Sequence, residues 1–225
     1  MPIKHIAIIP DGNRRWAKKR KLPPIAAYKI ATNQKRAREI CLEAKKQKVQ
    51  VLSIWGFSTE NWKRSKDQVK EIFNVIENSL DDLSKNHEKD KFRFIHIGRK
   101  DRIPKLLVKK IQYLEKVTAK YKEFTIILGI DYGGRDEIIR AINKAKKTKS
   151  QVTETQFSKL LDTKDIPDPD ILIRTGGEKR LSGFMPFQIV YTEFYFLNML
   201  FPEFQPHHLT QVIHDFHKRK RKFGK

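Results

Sequence analysis

The sequence predicts an α/β fold built as a single domain over residues 1–225, with a mainly parallel central sheet flanked by helices on both faces. Three observations carry this expectation. Short apolar runs alternate with longer amphipathic stretches along the whole chain. Each apolar run is followed by a polar, Gly- or Arg-bearing segment, as where ligands sit beyond the carboxyl ends of parallel strands. Finally, 225 residues at 39% hydrophobic content can bury one substantial core.

Taken in order, residues 6–9 (Ile-Ala-Ile-Ile) read as the first strand, 25–46 as a helix and 51–55 as the second strand. Residues 68–83 place Val69, Ile72, Phe73, Ile76 and Leu80 at helical spacing. A strand over 92–97 and a helix over 105–119 follow, then a strand over 124–129 and a helix over 136–147. A short helix near 154–161 precedes a strand at 171–173, and the segment from His207 onward reads as a final helix. No internal repeat or low-complexity linker interrupts the series, and Lys144 to Lys149 read as a solvated helix end.

Forty-eight Lys and Arg against 26 Asp and Glu give a net charge of +22, which points to a phosphate-bearing partner without choosing among nucleotide, lipid diphosphate and polynucleotide. The one cysteine, Cys41, excludes a disulfide framework or cysteine zinc site and reads as a small buried residue. No apolar run approaches the ~20 residues that cross a bilayer, so the cytoplasm is the expected compartment, with peripheral contact at a membrane. There is no Walker A loop, no GxGxxG after the first strand, no HExxH pair and no recognisable Ser-His-acid set, which argues against nucleotide cofactors and zinc hydrolysis.

The polar segments suit diphosphate chemistry. Asp11-Gly12-Asn13-Arg14-Arg15-Trp16 follows the first strand, and Gly56 to Arg64 follows the second. Gly98-Arg99, Asp131-Tyr132-Gly133-Gly134-Arg135 and Arg174-Thr175-Gly176-Gly177-Glu178-Lys179-Arg180 follow the others. Gly-rich turns offer backbone amides to anions, and arginines grip phosphate oxygens in pairs. Asp11 among them suits magnesium, which commonly takes one carboxylate beside bound phosphates, although a turn or N-cap role is open to it as well. Glu193, within an aromatic stretch, needs a cation partner, either a metal or a structural arginine or lysine. Trp55, Phe57 and the Val69 to Ile76 stripe serve equally as core packing or as the wall of a hydrophobic tunnel between helices and sheet.

Together, His5 to Lys18, Phe57-Ser58-Thr59-Glu60-Asn61-Trp62, Tyr132-Gly133-Gly134-Arg135 and Asp168 through Glu193 resemble the signature regions of the cis-prenyltransferases, the family of undecaprenyl diphosphate synthase. The resemblance runs in order from residue 5 to about 224. It implies a homodimer that joins an allylic diphosphate to isopentenyl diphosphate, forming a Z double bond with release of diphosphate, with Mg2+ as cofactor and no nucleic-acid partner. Carried over residue by residue, it implies a metal site at Asp11 and Glu193 and catalytic roles for Asp11, Ser58 and Asn61, with Asn61 a candidate for aiding proton removal. Gly12, Asn13, Arg14, Arg15, Trp16, Tyr28, Trp62 and Arg64 would contact substrate, and Arg174, Arg180 and Ser182 would bind isopentenyl diphosphate.

Departures from the family pattern fall mostly on the allylic side. Ala26-Ala27-Tyr28-Lys29-Ile30-Ala31 stands where Gly-His and a later Gly are usual, Pro24 where an arginine is usual, and Arg14 where a glycine is usual. Pro10, Asp131, Gly183 and Lys222 also differ from the common residues. These changes imply an atypical allylic substrate, a short product or a coupling other than head-to-tail. The alternatives in other classes are a non-catalytic subunit of a prenyltransferase heteromer and, from the charge and the basic run 218–222, a nucleic-acid binder.

Overall fold

An uninterrupted run of buried residues can form a strand only if both its faces are covered, and His5–Ile9 is such a run. The structure, a computed structural model, describes residues 2–31, 34–146 and 151–219. In it β1 (His5–Ile9) lies between β2 (Val51–Ser58) and β5 (Ile171–Arg174). With β3 (Arg93–Ile97), β4 (Thr125–Tyr132) and β6 (Glu193–Phe196) the sheet takes the order β3-β4-β2-β1-β5-β6, with every pairing parallel.

The helices are α1 (Asn13–Lys19), α2 (Pro24–Ala31), α3 (Gln34–Lys46), α4 (Lys66–Asp90), α5 (Lys105–Thr118), α6 (Gly134–Ala145), α7 (Glu154–Ser158) and α8 (Pro206–Lys218). Side chains alternate across the strands, so Ile6, Ile8, Ile171 and Ile173 pack with apolar residues of α3, α4, α5 and α8. Ala7, Ile9 and Leu172 point the other way, toward Phe184, Met185 and Ile189, and Trp55 stacks on Phe184 with ring centroids 4.9 Å apart.

Both the second and fourth strands run past the glycines at which the sequence pattern breaks. A Cβ on Gly56 would lie 3.3 Å from Leu128 Cδ1, and one on Gly129 would lie 3.2 Å from Trp55 Cδ1. These glycines therefore mark close approach inside a strand rather than its end. The pattern over 25–46 is divided between α2 and α3, while α1 and β6 were not foreseen: α1 is largely polar, and β6 is a short edge strand without clear alternation. Helix α4 extends to Asp90, where Arg38 closes on the carboxylate through Nε and Nη2 at 2.6 and 2.7 Å and Lys45 Nζ donates to the Asp90 carbonyl at 2.7 Å.

Among the described residues no helix is long and apolar enough to cross a membrane. Lys222-Phe223-Gly224, most of the basic run 218–222 and the end of the lysine stretch at 147–149 lie outside the described residues.

Two buried imidazoles tie stability to pH. His5 sits between the Pro167 carbonyl (Nδ1, 2.7 Å) and Ser53 Oγ (Nε2, 2.6 Å), and His96 Nε2 meets the Ile130 carbonyl at 3.0 Å. Burial pushes both down to about 4 from an ordinary 6.5. The unfolded chain therefore takes up protons first as pH falls, and the stability these neutral rings contribute is full above pH 6.5 and is lost as pH falls toward 4. We expect a loss of about 3 kcal/mol per histidine at the acid end of that window, read as a falling urea midpoint between pH 7 and pH 4.

Candidate active site

The segments after β1, β2 and β5 meet around one cavity of about 1180 Å3. Gly12, at φ +101°, makes the turn from β1 into α1 possible, and a side chain there would also strike Leu200 Cδ2 at 2.7 Å. The turn leaves Asp11 facing β5, where Arg174 Nη2 donates to Asp11 Oδ2 at 2.8 Å. The Arg174 side chain is only 5% exposed, and its Nη1 donates to Ser182 Oγ at 2.9 Å and to the Arg180 carbonyl. Thr175 completes the clasp, its hydroxyl donating to the Asp11 carbonyl at 2.7 Å and accepting from the Asp11 N–H at 3.0 Å.

Half-burial pushes the Asp11 carboxyl upward. The hydrogen bond from Arg174, the Gly12 N–H at 2.5 Å and the charges of Arg174 and Arg15 more than offset this, so Asp11 titrates below the usual carboxylate range. Gly176 is needed at this junction, because a Cβ there would lie 2.6 Å from Arg15 Nη2 and 3.2 Å from the Asp11 carbonyl carbon. Arg15 also bridges Asp11 (3.4 Å) and Glu178 (3.3 Å), and Glu178 accepts from Arg180 at 2.5 Å.

Asn13 donates to the Pro10 carbonyl at 3.1 Å, and its buried Oδ1 has no protein partner. Asn61 Oδ1 accepts from the Ser58 N–H at 3.1 Å within the 3-10 turn Thr59–Lys63. Arg64 Nη1 donates to the Tyr28 hydroxyl at 2.5 Å, joining α2 to the end of that turn. Asp11, Gly12, Asn13, Arg14, Arg15, Tyr28, Ser58, Asn61, Arg64, Arg174, Arg180 and Ser182 all line the cavity. Pro24 lines it as well, while the Ala31 side chain lies outside what is described. Beyond this polar mouth the walls become apolar at Ile54, Ile72, Val75, Ile76, Leu83, Ile126 and Leu128, and Arg38, Ser79 and Asp82 also contribute.

Three expected site residues stand elsewhere. Trp16 is 7% exposed and packs with Ala17, Ala27 and Leu200 behind α1, outside the lining. Trp62 is likewise outside it, edge-on to Phe57 at 5.3 Å and tilted against Phe73 at 5.5 Å. Both indoles are packing groups rather than cavity contacts. Glu193 opens β6 opposite Ile171, three residues and about 10 Å along the sheet from the level of Arg174, and it accepts from Arg219 Nη1 at 2.9 Å. Within one chain it therefore does not meet Asp11.

Among the described residues no cluster of three or more His, Cys, Asp or Glu could cage a metal. The Asp11 carboxylate at the mouth of a cationic cavity does suit an ion such as magnesium, which draws most of its shell from water and substrate phosphate. Glu178 and Thr175 were not singled out as site residues from the sequence. Both lie within the Arg174 to Arg180 segment, yet nothing in that pattern says that Thr175 grips the Asp11 backbone or that Glu178 holds two arginines.

The family model described as "Putative undecaprenyl diphosphate synthase" matches residues 9–224. An isoprenyl transferase of Aquifex pyrophilus is 44% identical over 224 residues, covering 99% of this chain and 96% of that protein. A tritrans,polycis-undecaprenyl-diphosphate synthase (geranylgeranyl-diphosphate specific) of Thermococcus kodakarensis is 36% identical over 231 residues, covering 99% and 87%. The crystal structure of lavandulyl diphosphate synthase from Lavandula x intermedia, in complex with dimethylallyl diphosphate, superposes with a TM-score of 0.94 at 32% identity, covering 100% of this chain and 99% of that one. The chain belongs to the undecaprenyl diphosphate synthase family of cis-prenyltransferases.

Proposed function

We propose that this enzyme transfers the prenyl group of an allylic diphosphate to isopentenyl diphosphate and elongates a chain held in the apolar part of the cavity. The observation that carries this reading is the single cavity that joins Asp11, Arg174 and Arg180 to Ile72, Val75, Ile76 and Leu128. Its volume of about 1180 Å3 exceeds the roughly 300–1,000 Å3 of ordinary small-ligand sites, which favours a substrate with a long tail.

In this reading the allylic C1–O bond breaks and the diphosphate leaves with the electron pair. The double bond of isopentenyl diphosphate attacks C1, and loss of a proton sets the new Z double bond. Asn13 and Arg15, with the Gly12 turn, receive the allylic diphosphate, while Arg180 and Ser182, aligned by Arg174, receive that of isopentenyl diphosphate. The Asn61 side chain, its Oδ1 held by the Ser58 N–H, would stand beside the proton that is lost. Mg2+ held at Asp11 would neutralise charge on the departing diphosphate. Positioning the two diphosphates supplies orientation, and the fixed cations supply stabilisation where charge develops.

A second reading, a short allylic substrate joined other than head-to-tail, is supported by the likeness to a lavandulyl diphosphate synthase crystallised with dimethylallyl diphosphate. Tyr28 and Pro24 in the mouth also favour it, since the phenol holds Arg64 and Pro24 brings no charge. We further propose a homodimer. Val190 and Tyr191 are 71% and 79% exposed beside the open edge of β6, and Glu193 would reach a metal site only across such an interface. The net charge of +22 favours peripheral contact with anionic lipid during product release.

Incubating the protein with Mg2+, isopentenyl diphosphate and allylic diphosphates of increasing length should yield products longer than the donor by successive isoprene units. A single branched product from dimethylallyl diphosphate alone would replace the first reading with the second, and the absence of any prenyl product would sink both. Asp11→Ala should lower kcat by roughly 10²- to 10³-fold, and full activity in that variant would remove Asp11 from the chemistry. Arg174→Lys should keep the fold but lose the forked contact to Asp11, Ser182 and the Arg180 carbonyl, raising the KM for isopentenyl diphosphate about tenfold or more.

A further inference from the structure

Asp131 is fully buried and carries a φ of +50° at the carboxyl end of β4. Its Oδ1 accepts from Trp62 Nε1 at 2.8 Å and from Arg102 Nη2 at 2.6 Å, while its Oδ2 accepts from Arg102 Nε at 2.7 Å. The carboxylate is thus held in both halves of the arginine fork and spends its remaining acceptor capacity on one indole N–H. Backbone contacts fix the residue from below, with the Arg99 N–H donating to the Asp131 carbonyl at 3.1 Å. A Cβ on Gly98 would lie 2.3 Å from the Ile130 carbonyl oxygen, so that strand end fits directly beneath the next.

Trp62 does not face the cavity, but its neighbours do. Ser58, Glu60, Asn61 and Arg64 all line it, and the 3-10 turn that carries them lies on the end of β4. Two further contacts bind the turn to that bed: Ser58 pairs with Tyr132 in the sheet, and Thr59 Oγ1 comes within 2.4 Å of where a Cβ on Gly133 would stand. The Trp62 indole anchors the turn on its far side from the cavity, lodged between Phe57 and Phe73 and oriented by its N–H. An aromatic ring in an apolar slot can slide or rotate. A hydrogen bond to a charged acceptor that is itself clamped cannot follow without losing its partner.

We propose that Arg102 and Asp131 are positioning residues for the reaction, fixing the Ser58 to Arg64 turn through the Trp62 indole and so setting where Asn61 stands against the substrate. This inference rests on the prenyl-transfer reading above. Arg102 lies outside the cavity lining and touches no group placed at the reacting atoms, so its effect passes through Asp131 and Trp62 alone. A misplacement of about 1 Å at such a turn is enough to lower turnover by about 100-fold while leaving diphosphate binding to the arginines intact.

Trp62→Phe keeps the packing and removes only the N–H. Asp131→Leu removes the acceptor, and Asp131→Asn keeps an oxygen where Oδ1 now receives both Trp62 and Arg102. Steady-state kinetics, taken well below the melting temperature of each variant, should show kcat in Trp62→Phe and Asp131→Leu reduced by about 10- to 100-fold, with both KM values within about threefold of wild type. Asp131→Asn should restore most of the turnover lost in Asp131→Leu. By NMR, the indole N–H that is missing in Trp62→Phe should exchange slowly with solvent in wild type and in Asp131→Asn, and rapidly in Asp131→Leu.

Wild-type kcat in Trp62→Phe would overturn the proposal, as would equal losses in the Asn and Leu variants or an exchange rate indifferent to Asp131. If Asp131→Leu does not fold, the Trp62→Phe kinetics decide the matter alone. If the wild-type protein forms no prenyl product, the reaction reading fails separately, and the exchange measurement still decides whether Asp131 holds the turn.

Discussion

The buried ion pair between Arg174 and Asp11 is the constraint from which the rest of the site follows. It joins turns 163 residues apart in sequence, and it does so with a guanidinium almost wholly removed from water. A cation in that position needs local partners, and the two Nη groups of Arg174 find them in the Asp11 carboxylate, the Ser182 hydroxyl and the Arg180 carbonyl, while its buried Nε has no protein partner. The segments after β1 and β5 are thereby made one rigid unit, and Thr175 stitches their backbones together. The pair also divides the labour among the basic residues. Arg174 is largely neutralised by Asp11, so on the proposed reading attraction for diphosphate would fall to the more exposed Arg14, Arg15 and Arg180.

Those exposed cations would repel one another in an empty mouth, and the arrangement of acids answers this. Glu178 lies between Arg15 and Arg180 and pairs with both. With its side chain 32% exposed and its partners more exposed still, it adds little to stability, but it keeps two guanidinium groups converged on one region. A diphosphate offers the same groups more negative charge and more acceptor oxygens than one carboxylate does. Diphosphate binding at these arginines would then exchange partners rather than assemble them, with less side-chain ordering required.

Much of this was legible in the sequence because the governing signals are local. Strands β1, β3 and β5 are short apolar runs, and the residues after them must be polar if ligands approach the carboxyl ends. Asp11, Arg174 and Arg180 could be found in this way, Asn61 in the polar segment after β2 and Ser182 only through the family resemblance, and all five line one cavity. What was not legible depends on contacts between distant segments. Gly56 and Gly129 look like strand breaks until the facing Leu128 and Trp55 are seen. Trp16 and Trp62 sit inside polar motifs, which suggested substrate contacts, but each turns its ring into packing behind the motif. Glu193 shares a segment with the site in sequence, yet it occupies the opposite end of its strand, and only the register against Ile171 reveals this.

Helix α4 has a different kind of support from the rest of the fold. Twenty-five residues long, about 37 Å at the usual rise, it is secured near its start by Phe73 wedged against Phe57 and Trp62, and at its last turn by Arg38 and Lys45 on Asp90. Between those fastenings Ile72, Val75, Ile76 and Ser79 line the cavity, Ile76 also packing over Gly56 of β2, and Asp81 is held by Lys110 Nζ of α5 at 2.7 Å. Long helices of this kind bow gently rather than kink, and α4 is the one that roofs the cavity. A lengthening hydrocarbon would press on that yielding roof while its charged head stayed against the unyielding floor at Asp11 and Arg174. On the proposed reading the chamber would change its capacity while the alignment of the reacting atoms stayed fixed.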